Sequence, residues 1–234
     1  MLFDARAGDL LLVYARRLVA RGYVHNSLGN IALRVSHPDF PEGVVYTKQA
    51  EVSLEEMTID NVVITDVPTG KLLHGSVPPS VGHQLNREIL RRRPDVDAVI
   101  HVHPDETIAL FASGAVKELK VLSVEFPLVM GKPPHLLPSH VNVELDVAPL
   151  KDFIQTTNAV VMESHGVTVL GRTLPEAYHR LNTLTAEVRR SMAAETLAAA
   201  RGTEVRYVPA ADVEWSYGQA DAVIYPSGKP PRSG

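Results

Sequence analysis

The chain has 234 residues, 45% of them hydrophobic, and a formal net charge of −4; this suits one large or two small globular domains and gives no electrostatic reason to expect a nucleic-acid partner. It contains no cysteine, which excludes disulfides, thiolate metal sites and cysteine nucleophiles and leaves histidine, carboxylate and water as the donors for any transition metal. The opening run MLFDARAGDLLLVYARRLVARG is broken by Asp9 and followed closely by Arg16 and Arg17, unlike a signal peptide, and no segment reaches the roughly 18 apolar residues of a membrane span, so a soluble cytoplasmic protein with no membrane partner is expected.

In chain order, Leu10, Leu11, Tyr14 and Leu18 recur at helical spacing until Gly22, which predicts a first helix. IALRV alternates like a strand. Ser53 and Glu56 have the spacing of a capping box before a short helical turn, and NVVITDV follows as a strand. Ser80–Arg93 reads as a second helix, DAVIHVH as a buried strand, and PDETIALFASG as a third helix with Pro104 in its first turn. KVLSVEFPLVM is expected to be a strand region and LDVAPLKDFIQTT a helix. AVVMES and GVTVLG read as two strands meeting near His165. The last helix is the clearest, with Thr173 as its cap, Glu176 completing a box, and a stripe through Leu174, Tyr178, Leu181, Leu184, Val188 and Met192. Residues 1–202 are expected to form one α/β or α+β layered domain, and 203–234 a tail rich in Pro, Gly and Tyr.

His101 and His103 stand two apart in a strand, so they point to the same face while Val102 points to the other. Two imidazoles so placed can chelate one ion, in chemistry suited to zinc, manganese, iron or cobalt more than to calcium or magnesium; the other reading is two half-buried polar residues at a strand end. A catalytic metal typically needs three protein ligands and one open position. His165 is the foremost third candidate, because Gly166 permits a tight backbone between two strands. His25, His37, His74, His83, His135, His140 and His179 compete with it, although His179 lies on a long helix and His135 and His140 flank a proline-rich loop where exposure is expected. Glu163, two residues before His165, is a candidate to orient that ring.

SLGNIALRV, RPDVDAVIHVHPDE and SHGVTVLG followed by a long helix together resemble the class II aldolase/adducin family over roughly residues 5–200. The resemblance implies a three-layer α/β/α single domain with a central, mainly antiparallel sheet. It also implies a divalent metal, zinc first, on His101, His103 and His165, and a homotetramer with active sites between subunits. Sugar-phosphate aldolases of the family carry a Thr-Pro-Ser-Gly loop, a Gly-Asn pair and a Pro-Ser-Ser-Glu segment. Here Gly29 and Asn30 match the pair and Thr47 matches the threonine, but TKQA replaces the rest of the loop. PPSVG keeps Ser80 and puts Gly82 where the glutamate would stand.

These departures carry a chemical meaning. Small residues let backbone N–H groups close around phosphate, whereas Lys48 presents a point charge suited to a carboxylate. Without the glutamate that moves a proton at carbon, decarboxylation becomes the expected chemistry, since it generates the carbanion by losing CO₂ and needs an electron sink rather than a base. The family's decarboxylase branch, which includes a 3,4-dihydroxyphthalate decarboxylase, fits this pattern. The expectation is a metal-dependent lyase acting on a small hydroxy-aromatic or β-keto-type carboxylic acid. Asn30, Thr47, Lys48 and Ser80 would bind the substrate, and His83 would deliver the proton. A sugar-phosphate aldolase or 4-epimerase using Tyr207, Tyr217 or Tyr225 from a neighbour as the acid is the first alternative. A non-catalytic adducin-like interaction module is the second.

Overall fold

A computed structural model describes residues 2–224, and Tyr225 lies outside them. An eight-stranded sheet forms the middle layer. Its strands, in chain order, are β1 (Asn30–His37), β2 (Phe40–Lys48), β3 (Val62–Asp66), β4 (Leu72–His74), β5 (Ala98–Val102), β6 (His135–Leu137), β7 (Ala159–Met162) and β8 (Gly166–Gly171). They lie side by side as β4-β3-β2-β1-β5-β8-β7-β6, antiparallel throughout except for the β6–β7 pair. The helices are α1 (Ala5–Ala20), α2 (His83–Arg92), α3 (Asp105–Ala112), α4 (Glu125–Met130), α5 (Leu150–Phe153), α6 (Leu174–Arg201) and α7 (Ala210–Ile224).

Strand alternation divides the core in two. Ile31, Leu33, Ile100, Val102, Val161, Val167 and Val169 face one side, where they pack with Leu11 and Leu18 of α1 and Leu181, Leu184 and Val188 of α6. Ala32, Val45, Val99, Val160 and Leu170 face the other side and meet Leu85 and Ile89 of α2 and Leu150 and Phe153 of α5. The result is the expected α/β/α sandwich. All of these side chains are buried, and their removal from water is the main favourable term holding the layers together.

The predicted caps are present, with one shift. Ser53 and Glu56 exchange the two reciprocal bonds of a capping box, Ser53 N–H to Glu56 Oε2 and Glu56 N–H to Ser53 Oγ, both at 3.1 Å. Thr173 Oγ1 accepts from Glu176 N–H at 3.3 Å, but the Glu176 carboxylate reaches one residue further back, to Arg172 N–H at 2.6 Å.

Three expectations need correction. KVLSVEFPLVM is not a strand: its second half is α4, where Pro127 fixes a helical φ inside the first turn and Gly131, at φ 67°, ends the helix. LDVAPLKDFIQTT contributes only the four residues of α5, because the hydroxyls of Thr156 and Thr157 bond back to the carbonyls of Phe153 and Pro133 and divert the chain. FPEGVVYTK, left out of the strand reading, is the nine-residue β2, so Thr47 and Lys48 end a strand instead of lying in a loop. Within the tail, residues 210–224 form α7, whose Ser216 and Ala220 are buried.

Glycine matters most where the sheet turns into α6. A Cβ on Gly171 would overlap Ala177 N and lie 2.7 Å from Thr173 O, both backbone atoms that cannot swing away. Gly171→Ala is therefore expected to cost about 1–3 kcal/mol. Gly218→Ala, on α7 with no described atom within 4 Å of the added carbon, is expected to be neutral or to stabilise by up to about 1 kcal/mol. Urea midpoints of the two proteins check both.

Candidate metal centre

Register assembles the site. In the β1–β5 pair Asn30 lies opposite His101, and in the β5–β8 pair His101 lies opposite Thr168, so three polar residues form a row across three strands on the face covered by α2. His103 lies one residue beyond the end of β5, where its N–H donates to Tyr23 O at 3.1 Å. His165 is delivered by the tight turn between β7 and β8: Ser164 takes φ 60° and His165 N–H closes onto Met162 O at 3.1 Å. Gly166 makes the approach possible, since a Cβ there would lie 2.5 Å from Val102 O and 2.8 Å from the His103 ring.

The three imidazoles converge. Each offers a ring nitrogen, and these atoms all lie within 4.8 Å of one another. His101 Nε2 and His103 Nε2 are 3.1 Å apart, and the rings of His103 and His165 stack with 5.3 Å between centroids. His101 Nδ1 lies 2.9 Å from Thr168 Oγ1. When the Nδ1–H donates to that hydroxyl, the Nε2 lone pair is left for a metal. Burial drives the His101 pKa down to about 3, with the charges of His103 and His165 adding to the shift and that of Glu144 opposing it. Burial also lowers the His103 pKa, again helped by His165. For both rings burial favours the neutral form that a metal requires.

A carboxylate that the sequence did not suggest completes the cluster. Glu144 Oε2 is 3.1 Å from His165 Nε2 and Oε1 is 3.6 Å from His101 Nε2. Burial pushes its pKa up, but the hydrogen bond from His165 and the three neighbouring imidazoles outweigh that and hold it low. Three imidazoles beside one carboxylate make a nitrogen-and-oxygen donor set that fits a borderline divalent ion such as zinc.

The other predicted residues fall in several places. Asn30 is buried, and its Oδ1 accepts from Asn86 Nδ2 at 2.6 Å. Asn86, on α2, was not anticipated. Thr47 spends its hydroxyl on Ile31 O at 2.8 Å. Ser80 is buried, with its N–H on Lys48 O and its carbonyl accepting from His83 N–H. Lys48 departs from expectation: it is 0% exposed and its ammonium donates to the carbonyls of Ser27 and Val52, with burial lowering its pKa to about 8. It ties two loops together and does not offer its charge to a ligand.

His83 sits at the start of α2 with Nδ1 3.1 Å from Ser80 O. Burial is the main reason its pKa falls, with Arg87 adding to the shift and the Ser80 carbonyl opposing it. Glu163 does not orient His165. The turn carries its carboxylate away to Ser139 N–H at 3.0 Å, and Glu144 takes the place beside the ring. Of the tail tyrosines, Tyr207 donates to Glu195 Oε1 at 3.0 Å, and burial raises the pKa of Tyr217.

Comparison with known proteins agrees with this geometry. The family described as class II aldolase and adducin N-terminal domain matches residues 9–191. The L-fuculose phosphate aldolase of Methanocaldococcus jannaschii is 27% identical over 175 residues, covering 72% of this chain and 86% of that one. The 3,4-dihydroxyphthalate decarboxylase of Arthrobacter keyseri is 26% identical over 121 residues, covering 48% of this chain and 46% of that one. Among solved structures, YgbL of Klebsiella pneumoniae superposes with a TM-score of 0.76 at 21% identity, covering 90% of this chain and 97% of that one, a likeness of fold.

Thr168 provides a test of the site. Thr168→Val keeps the shape and removes the partner of His101 Nδ1, and it is expected to weaken zinc binding about 10–100-fold with the fold intact. Competition against a chromogenic chelator reads the affinity and circular dichroism reads the fold.

Proposed function

We propose that this chain, which belongs to the class II aldolase and adducin family, is a metal-dependent carbon–carbon lyase that decarboxylates an unphosphorylated hydroxy-aromatic or β-keto-type acid. The observation that carries the choice of substrate is the state of the segment at Thr47–Lys48. Its threonine hydroxyl and its wholly buried lysine ammonium both donate to backbone carbonyls inside the protein, so a phosphate there would have to draw them away. The similarity to the Arthrobacter keyseri decarboxylase supports the same reading.

In this reading His101, His103 and His165 hold the ion, zinc by preference, with manganese, iron or cobalt as substitutes. When bound, it supplies Lewis-acid stabilisation of the negative charge that develops on a substrate oxygen. The bond between the substrate carbon and its carboxylate breaks, CO₂ leaves, the electron pair stays on the carbon, and a proton from solvent replaces the lost group. Asn30 has its amide oxygen occupied by Asn86, so its Nδ2 is turned toward the site and donates to the substrate carboxylate. The Ser80 hydroxyl is the second polar contact. Residues 1–202 form the lyase domain, and the tail contributes to a neighbouring site in a cytoplasmic homotetramer.

A sugar-phosphate aldolase or 4-epimerase is the second reading. The match to the Methanocaldococcus jannaschii aldolase, which spans 86% of that protein, favours it.

Two assays separate the readings. The purified protein is expected to release CO₂ from 3,4-dihydroxyphthalate or a related acid, to lose that activity to a strong chelator and to regain it with zinc. His103→Ala is expected to lower turnover at least about 100-fold, and turnover unchanged in that protein would reject the mechanism. Cleavage of a ketose phosphate to a triose phosphate and an aldehyde, without CO₂ release, moves the assignment to the second reading. In solution, light scattering is expected to give four times the mass of one chain.

A further inference from the structure

Gly82 and Glu144 lie 62 residues apart in sequence and share one small space. A Cβ built on Gly82 would overlap both Glu144 Oε1 and Asn30 Nδ2. The conformation of Gly82 is ordinary, at φ −65°, so glycine is not needed here for backbone reasons. It is needed because the carboxylate of Glu144 fills the place where a side chain at position 82 would begin. The segment carrying Glu144 is built to deliver it there. Val143 is fully buried and anchored in the α2 side of the core. Asn142 receives Glu144 N–H on its side-chain oxygen at 2.9 Å and the N–H groups of Leu145 and Asp146 on its carbonyl. Leu145 then points outward, 78% exposed. Between that anchor and that turn, the Glu144 side chain, 13% exposed, reaches inward to His165 and His101.

We propose that Glu144, reaching through the slot that Gly82 leaves open, is the fourth protein donor to the cation held by His101, His103 and His165. The carboxylate of this site comes from the connection between β6 and α5. Both carboxylate oxygens face imidazole nitrogens that would carry the ion, at 3.1 and 3.6 Å. An ion held at the His101 and His165 nitrogens therefore lies beside the Glu144 carboxylate. A carboxylate brings to a divalent cation the negative charge that imidazole donors do not supply. The inference rests on the metal-lyase reading of the same histidines but not on the choice of substrate.

The test measures metal binding by the full-length protein. Zinc affinity is read by chelator competition, and the coordination sphere by the visible absorption of the Co²⁺-loaded protein. Glu144→Ala is expected to weaken zinc about 10–100-fold and to change the cobalt spectrum. Gly82→Ala, whose methyl displaces the carboxylate, is expected to do the same. The double variant Gly82→Glu/Glu144→Ala is expected to recover affinity to within about threefold of the parent, because it restores one carboxylate to the shared space. Circular dichroism and the thermal midpoint establish that each variant is folded. A folded Glu144→Ala protein with the parent's zinc affinity and cobalt spectrum overturns the inference, and so does a folded double variant that stays as weak as Glu144→Ala. Metal affinity tests this inference while release of CO₂ tests the substrate reading, so either can fail while the other stands.

Discussion

A slip of one residue between β1 and β5, or between β5 and β8, would turn His101 to the opposite face of the sheet and break the row it forms with Asn30 and Thr168. The other features of the site presuppose that register. Given the register, His103 follows two residues later on the same face, and the β7–β8 turn has only to bring one more imidazole to the end of β8. The protein holds the register from the opposite end of β5. There Arg34 N–H donates to Asp97 O at 2.7 Å and Arg34 Nε to Asp97 Oδ1 at 3.0 Å, while Asp97 N–H reaches Gly171 O at 3.0 Å. One residue pair thus fastens β1, β5 and β8 together. Arg93, 2% exposed, ties the same corner to the carbonyls of Ile154 and Thr157 and to the side chain of Asn158. A polar clamp at one end of the central strand fixes the alignment that the chemistry at the other end needs.

Burial decides the charge state of His101. His101 lies wholly out of solvent, and taking a charged ring there would cost more than its neighbours return, so it stays neutral. Lys48 follows the same physics with a different solution: its ammonium is buried but keeps two carbonyl acceptors, as a buried donor must. One site therefore contains a neutral base that retains its lone pair and a cation whose hydrogen bonds are used internally. Only the first is available to a ligand.

Much of this was legible in the sequence because the relevant signals are local. The His-x-His alternation at 101 and 103 follows from strand geometry alone, and the long amphipathic α6 with Thr173 at its start leaves little ambiguity. What was not legible depends on long-range placement. Glu144 is one of 27 acidic residues, and nothing in VNVELDV distinguishes it. Its place beside the histidines comes from Val143 docking in the core and from the lack of a side chain at Gly82. Glu163 neighbours His165 in sequence, yet the left-handed Ser164 separates the two side chains in space. The error at KVLSVEFPLVM has a related cause: β-branched and apolar residues suggested a strand where Pro127 and tertiary packing impose a helix.

By the resemblance of the sequence, Gly82 stands where a catalytic glutamate is expected. That absence was the ground for choosing a reaction that needs no base. With Glu144 in the same space, the vacancy at 82 no longer argues by itself that the site is without a carboxylate, and so it no longer separates decarboxylation from aldol cleavage. The weight of that distinction shifts to the other departure, the Thr47–Lys48 segment. There a hydroxyl and an ammonium are turned inward onto carbonyls of Ile31, Ser27 and Val52. A phosphate dianion bound at this place would have to draw those donors away from buried acceptors and leave the acceptors unpaired, at a cost of about 1–3 kcal/mol for each. A carboxylate or phenolate substrate held through Asn30 and the cation asks for no such rearrangement, and this difference in cost now carries the preference for an unphosphorylated acid.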